Sequence, residues 1–147
     1  MPNLSFDFGI PVPAMLPNGL SAQNQSASTI AVILGGTAIP LSTINYNSGF
    51  TVNGANTTFT VQAAGIYEIS YQINVTAAAL LSATVYHNGT AVPGLEQIAA
   101  ISLSNYACKT IMSLIAGDTL ELVLYGLIGT AVLTSGVGAS LTITQVA

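Results

Sequence analysis

The clearest alternation of apolar and polar side chains lies between residues 65 and 76. The apolar positions are Tyr67, Ile69, Tyr71, Ile73 and Val75, and the polar positions between them include Glu68, Ser70, Gln72 and Asn74. A period of two predicts a β-strand with one face in the core. The strand is longer than the usual length of about 5–6 residues. We therefore place it in the middle of a sheet and expect the other segments to be its neighbours.

Further segments have the residue types or the alternation of strands. They are residues 29–34, 37–41, 57–62, 82–88, 96–104, 105–115, 119–125, 131–133 and 139–146. Turn signals separate them, and the strongest is Asn88-Gly89, a dipeptide typical of two-residue hairpins. Residues 42–56 are predicted to be a loop. Short strands at this spacing, without an amphipathic helix, predict an all-β sandwich or barrel.

The first 28 residues differ from the rest because they are rich in proline, asparagine, serine and glutamine. They predict an extended arm or linker over residues 1–28, followed by one domain over residues 29–147. Within the arm, an alternation from Phe6 to Val12 indicates packing against a neighbour. The run at residues 29–34 has no polar face, so it predicts a strand that is buried on both sides.

Charge is almost absent from this chain, and its scarcity limits the classes of partner. Hydrophobic residues make up 51% and charged residues 4%, with one lysine and no arginine. A net charge of −4 excludes a basic surface for nucleic acid and electrostatic docking on anionic lipid. A protein surface with so few charges must be buried against other subunits, lie in a membrane, or be solvated by uncharged polar groups. The many Ser, Thr, Asn and Gln residues favour the last of these together with the first.

The membrane alternative rests on residues 122–141, an uncharged stretch about as long as a spanning helix. Four glycines interrupt this stretch, and segments with a period of two flank it on both sides. No basic residues flank it to fix an orientation. The pattern therefore favours strands, and we expect no membrane partner.

The residues that could carry chemistry are few and scattered. His87 is the only histidine and precedes a turn, so we expect it at the rim, and Cys108 is expected to be a buried, inert thiol. Asp118 is expected to serve the turn after Gly117, and Lys109 to reach the rim or pair with Glu68 or Glu121. No spacing indicates a catalytic triad or a metal cluster. We expect no enzyme and no cofactor, with calcium bound by loop carbonyls as the alternative.

Several motifs occur in the order found in a known superfamily. They are Phe59 and Val61, Ala64-Gly65-Ile66-Tyr67, Tyr71-Gln72-Ile73, His87-Asn88-Gly89, residues 116–122 and a closing strand. This order is similar to that of the complement globular head and of tumour necrosis factor, which are ten-stranded jelly rolls that assemble as trimers. The charge-poor composition and the ending GASLTITQVA resemble the C-terminal domain of the collagen-like glycoproteins of the bacterial spore exosporium.

The resemblance implies an all-β, ten-stranded jelly-roll sandwich that forms a homotrimer, with one sheet of each subunit around a threefold axis. The side chains that it implies at the interface come from the doubly apolar segments and from the polar face of the long strand. They are Ile30, Val32, Ile33, Glu68, Ser70, Gln72, Asn74, Ile111, Leu141 and Ile143. A permanent interface of this kind commonly buries more than about 2,000 Å².

The resemblance also implies a role, namely a structural trimerisation or capping domain of a filament on the surface of a bacterial spore. It would act outside the cell and bring together three upstream segments. Gly-X-Y repeats are absent from these residues, so a collagen-like partner segment would lie upstream. Two alternatives use the same trimer. It could be a receptor- or glycan-binding head, with recognition in loops 42–56, 88–96 and 126–138, or it could be the tip of a phage fibre.

Overall fold

Two β-sheets packed face to face form the protein in the computed structural model, which describes residues 17–147. The strands are β1 (Gly19–Ser26), β2 (Thr29–Val32), β3 (Thr37–Ala38), β4 (Thr43–Ser48), β5 (Phe50–Val52), β6 (Phe59–Val61), β7 (Gly65–Ala79), β8 (Ser82–His87), β9 (Thr90–Ala91), β10 (Leu103–Leu114), β11 (Thr119–Tyr125), β12 (Gly129–Val132) and β13 (Ser135–Gln145). A 3₁₀ turn occupies Pro93–Leu95. The prediction of an all-β sandwich is confirmed.

The strands pair in an antiparallel manner throughout both sheets. The five-stranded sheet has the order β10-β7-β13-β1-β4. The second sheet has the order β5-β6-β11-β8-β9, and β3 also pairs with β11. β12 and β2 form a separate two-stranded ribbon. The number of strands exceeds the ten that were predicted, because several short segments of two to four residues are counted as strands.

The long alternating strand is β7, an interior strand of the five-stranded sheet between β10 and β13. Its apolar side chains are all buried, as the alternation predicts: Tyr67, Ile69, Tyr71, Ile73 and Val75. Both tyrosine hydroxyls have partners, since Tyr67 donates to the carbonyl oxygen of Ala63 and Tyr71 to that of Leu95, each at 2.7 Å. The face that points away from the core carries the polar residues of β7.

The second sheet completes the core with β6, β8 and β11. Phe59 and Val61 point inward as predicted, and so do Leu120, Leu122 and Leu124. Val123, which the alternation placed on the polar side of β11, is also buried. It is covered by the turn that contains Gly36, where a Cβ atom would lie 2.7 Å from Val123 Cγ1. Gly36 has a φ of +97°, so both the close approach and the backbone conformation require glycine.

The prediction of an arm over residues 1–28 is wrong for residues 19–26, because these form β1 inside the five-stranded sheet. Leu20, Ala22 and Asn24 are its buried positions. The side-chain amide of Asn24 donates to the carbonyl oxygen of Pro40 at 2.8 Å, which satisfies a polar group in the core. Residues 1–16, with the alternation from Phe6 to Val12, lie outside the described residues.

Other segments also differ from the sequence prediction. The run at residues 29–34 is a strand only to Val32, with alternate residues exposed, because it forms a ribbon and not a central strand. The predicted loop 42–56 contains β4 and β5. Residues 96–102 form no continuous strand, and β10 begins at Leu103. The alternative of a spanning helix over residues 122–141 is wrong, since these residues are distributed over β11, β12 and β13. No helix within residues 17–147 is long and apolar enough to span a membrane.

Candidate interaction surface

The five-stranded sheet has a broad side that points away from the core, which we call the outer face. The strand register aligns its side chains in rows across the sheet. One row runs Ile111, Glu68, Thr144, Gly19 and Ser48; the next runs Lys109, Ser70, Thr142, Ser21 and Tyr46; a third runs Ala107, Gln72, Ser140, Gln23 and Thr43. Asn105 and Asn74 form a further pair on the outer face, joined by a hydrogen bond between their side chains. Most of these side chains are uncharged and can donate or accept hydrogen bonds.

The only basic side chain of the chain lies on the outer face and is paired there. Lys109 Nζ lies 3.5 Å from Glu68 Oε2, across neighbouring rows of β10 and β7. The prediction that Lys109 pairs with Glu68 or Glu121 is thus confirmed for Glu68. The two side chains are 66% and 37% exposed, so in the isolated chain the pair contributes little to stability. The pair leaves the outer face without net charge.

Exposed apolar side chains flank the polar centre of the outer face. Ile111 is 59% exposed and Ile66 is 43% exposed at one side, and Tyr46 is 48% exposed at the other. The patch shares with the centres of protein interfaces a scarcity of charged side chains, although its polar centre and apolar sides reverse their usual order. It is also broad and regular, because five adjacent antiparallel strands build it.

The sequence-predicted interface residues divide into three groups in the structure. Five of them share the outer face: Glu68, Ser70, Gln72, Asn74 and Ile111. Ile33 is exposed but lies in the turn after β2, at the edge of a different surface. The remaining four are buried in the core of the single chain: Ile30, Val32, Leu141 and Ile143.

The assignment of those four residues to an interface between subunits is therefore corrected. In β13, Leu141 and Ile143 point into the sandwich and have no exposed surface, while Thr142 and Thr144 point outward. Apolar residues at alternate positions of a strand in a sandwich face the core first. The expectation of strands that are apolar on both faces fails because the outer face is predominantly polar.

The outer face also contains residues that the sequence prediction missed. β13 contributes Ser140, Thr142 and Thr144, β1 contributes Ser21 and Gln23, and β4 contributes Tyr46. The alternation in the segment LTIT of β13 was a sufficient signal for Thr142 and Thr144. β1 and β4 gave no comparable signal, because few of their residues are large and apolar.

A second polar cluster joins two turns at the end of the sandwich where β7 begins. Asp118 accepts hydrogen bonds from the Asn88 side chain at 2.9 Å and from the backbone N–H of Ile115 at 3.0 Å, and His87 Nε2 lies 3.0 Å from it. These donors, with the Asn88 amide first, lower the pKa of the Asp118 carboxyl to about 2. The expected role of Asp118 in the turn after Gly117 is confirmed.

Three further ionisable side chains of the described residues, those of Tyr71, Cys108 and Tyr125, contact other groups within the fold. Tyr125 donates a hydrogen bond of 2.7 Å to Glu96 Oε2, and burial together with this carboxylate raises the pKa of Tyr125 to about 12. Burial also raises the pKa of Tyr71. Cys108 is half-buried, with its Sγ 3.8 Å from the carbonyl oxygen of Glu96. No group of three or more His, Cys, Asp or Glu side chains in residues 17–147 is placed to hold a metal ion.

The fold is shared by solved structures of one class, the tumour necrosis factor and complement heads. The tumour necrosis factor Eiger of S. frugiperda is 10% identical, with a TM-score of 0.62 over 89% of this chain and 93% of that chain. The globular domain of zebrafish complement 1qA is 11% identical, with a TM-score of 0.62 over 88% and 98% of the two chains. The GITRL of the bushbaby is 10% identical, with a TM-score of 0.55 over 89% and 95%. The jelly-roll prediction is thereby confirmed.

Within this class, the family model of the BclA C-terminal domain matches residues 20–147. The chain therefore belongs to the BclA C-terminal domain family, which confirms the resemblance to the collagen-like exosporium proteins. A comparison with curated protein sequences finds no significant match.

Proposed function

We propose that this domain is a structural trimerisation head of a filament on the bacterial spore exosporium. In this role three copies associate through the outer face, and the association brings their three upstream segments together. The local concentration of the segments then favours formation of a triple-stranded stalk, for which a collagen-like segment is the natural partner. The function is association, and no chemical step is assigned to any residue.

The observation that carries the proposal is the composition of the outer face. Its central rows contain Ser, Thr, Gln and Asn side chains, which can form hydrogen bonds between subunits without a cost for burying unpaired charge. The single ion pair on this face is already neutralised within the chain. Ile111, Ile66 and Tyr46 add apolar area at its sides. Membership of the BclA C-terminal domain family supports the spore surface as the location.

The geometry of the chain ends supports the same assignment. Gly19, where β1 begins, pairs with Thr144 near the end of β13 and with Ser48. The backbone N–H of Ile66, at the start of β7, donates to the carbonyl oxygen of Ala147. The first strand therefore begins at the same end of the sandwich as the last strand finishes. A trimer built on the outer face would carry all three upstream segments at one end, as a stalk requires.

The test is a measurement of mass in solution by size-exclusion chromatography with light scattering. We expect three times the chain mass of 14.9 kDa, without dissociation on dilution to micromolar concentration. A chain that remains monomeric while it is fully folded by circular dichroism would contradict the proposal. A dimer would contradict it equally, because two copies cannot register three strands of a stalk.

A further inference from the structure

A cleft of about 240 Å³ lies between two turns, at the end of the sandwich opposite to the start of β1. One wall is the turn after β2, with Ile33, Leu34 and Gly35, and the other wall is loop 126–128, after β11. Tyr86 and Tyr125 form its floor. We call this the apolar cleft. It lies apart from the outer face, and the proposed trimer makes no use of it.

The walls of the apolar cleft expose large apolar side chains to solvent. Leu34 is 89% exposed, Ile128 76%, Ile33 60% and Leu127 51%. Single exposed apolar residues are common on protein surfaces, whereas four that converge on one concave site are typical of a binding site. Burial of these side chains by a ligand would be favourable, because it removes apolar surface from water.

The polar atoms of the floor already have partners inside the protein. The hydroxyl of Tyr86 donates to the carbonyl oxygen of Gly35 at 3.0 Å, and that of Tyr125 donates to Glu96 Oε2 at 2.7 Å. The two hydroxyl protons are thus used within the fold, and the apolar cleft has no ionisable side chain other than these tyrosines among its lining residues. A ligand would find walls for van der Waals contact and no side-chain proton left to bind an anion.

Charge excludes an anionic ligand in a second way. The chain has one lysine and no arginine, and Lys109 lies on the outer face beside Glu68. No basic side chain can therefore balance an anion in the apolar cleft, and burying an unpaired carboxylate there would be costly. The pKa of Tyr125, raised to about 12, keeps its hydroxyl proton in place at physiological pH, where it stays donated to Glu96. The chemistry of the walls and floor is that of a site for a neutral apolar group.

We propose that the apolar cleft binds a small neutral aromatic ring, in contact with the two tyrosines that line it. A cavity of about 150 Å³ lined by Leu, Ile and Phe binds benzene, so a volume of about 240 Å³ accommodates a bicyclic ring. The position of the apolar cleft, away from the start of β1, leaves it open at the free end of a filament. One chain alone forms this site, and only its exposure at the free end of a filament rests on the proposed function.

Indole is a suitable probe because it is neutral and bicyclic, and because the chain contains no tryptophan. Its fluorescence can therefore be followed without interference from an indole side chain of the protein. We expect saturable binding of one indole per chain to the full-length protein. We also expect indole-3-acetate to bind at least about tenfold more weakly, since its carboxylate would lose water without gaining a cation.

Two variants with matched exposure locate the site. Ile33→Asn changes a wall residue that is 60% exposed, and Ile115→Asn changes a residue that is 62% exposed and lies in the turn before β11. We expect Ile33→Asn to weaken indole binding about fivefold or more and Ile115→Asn to leave it unchanged. Both side chains are exposed, so both variants should keep the circular dichroism spectrum of the parent.

Four results would overturn the proposal. They are the absence of saturable binding, an equal loss in the two variants, equal affinity for indole and indole-3-acetate, or one indole per assembly in place of one per chain. A lowered assembly mass in Ile33→Asn, without indole binding by the parent, would instead identify the apolar cleft as a contact between copies. The assembly mass of the parent is measured separately, so failure here leaves the proposed trimer untouched.

Discussion

The side chain of Asn88, in the turn between β8 and β9, both donates and accepts hydrogen bonds with residues of the turn between β10 and β11. Its amide donates to Asp118 at 2.9 Å, and its oxygen accepts a hydrogen bond from the backbone N–H of Thr119 at 2.8 Å. Asn88 itself has a φ of +52°, a conformation that favours asparagine or glycine. The hairpin of β8 and β9 is thereby held against the turn between β10 and β11.

Asn88→Gly separates the hydrogen bonds from the backbone conformation, because glycine adopts the positive φ without strain. We expect the variant to lose about 1–3 kcal/mol in the free energy of unfolding, since the buried Asp118 carboxylate loses a donor. Urea denaturation measures the change. Asn88→Ala should lose more, because it adds backbone strain to the same loss. Equal stability of Asn88→Gly and the parent would show that the two bonds contribute nothing.

The Asp118 carboxyl should make the stability depend on pH in the acid range. Its pKa in the folded state, about 2, lies below the ordinary value of 3.8, so the folded form binds this proton less readily than the unfolded form. Its contribution is present above about pH 4 and is lost as the pH falls toward about 2. In Asp118→Asn the free energy of unfolding should fall less steeply over this interval. Parallel pH profiles of the parent and the variant would contradict the assignment.

Ile111→Asp tests the outer face as the surface of association. Ile111 is 59% exposed on β10, in the row of Glu68, so an aspartate there would place unpaired charge in the proposed interface. We expect the trimer to dissociate at least partly, as measured by light scattering, while the fold persists. Ile101→Asp is the control, because Ile101 is 70% exposed before β10 and off the sheet. Dissociation in both variants, or in neither, would place the interface elsewhere.

Tyr71→Phe tests the polar connection between the two sheets. The Tyr71 hydroxyl donates to the carbonyl oxygen of Leu95 at 2.7 Å and lies 3.3 Å from that of Ala83. Its removal leaves the Leu95 carbonyl without this donor, whereas the Ala83 carbonyl keeps the backbone N–H of Gln97, and we expect a loss of about 1–2 kcal/mol in thermal or urea unfolding. Tyr46→Phe provides the matched control, since Tyr46 is 48% exposed and its hydroxyl bond is 3.5 Å long. A comparable loss in both would argue against a special role for Tyr71.

The sequence predicted the strands whose side chains alternate between large apolar and polar types. β7, β11 and the Asn88-Gly89 hairpin follow from such local signals, and the structure has all three. The buried side of β7 was correct at each position from Tyr67 to Val75. These elements are predictable because one face of each strand meets the core over its whole length.

β1 was missed because its inward positions contain residues that do not signal burial. Ala22 is small, and Asn24 is polar, yet both have almost no exposed surface. The Asn24 amide is buried only because Pro40 supplies a carbonyl oxygen and Ser28 a hydroxyl, and these partners come from other segments. Such a tertiary arrangement cannot be inferred from the period of the local sequence.

The candidate surface was predicted in part, and the errors have one cause. Glu68, Ser70, Gln72 and Asn74 were identified because they are the polar half of a clear alternation. Ile30, Val32, Leu141 and Ile143 were assigned to an interface because their segments looked apolar on both faces. The structure uses those side chains for the core of a single chain, and the exposed residues beside them are mostly threonine and serine.

The first and last strands are adjacent, so the chain could be joined between them and opened at another point without a change in the fold. The backbone N–H of Gln145 donates to the carbonyl oxygen of Asn18 at 2.9 Å, and their side chains share a second bond of the same length. A short linker could therefore join residues 145 and 18, with new ends opened among the exposed residues 100–102. Such a circular permutant keeps each strand pairing of both sheets and presents its ends beyond the start of β10. The domain could then be attached to a filament from the opposite end, with the outer face unchanged.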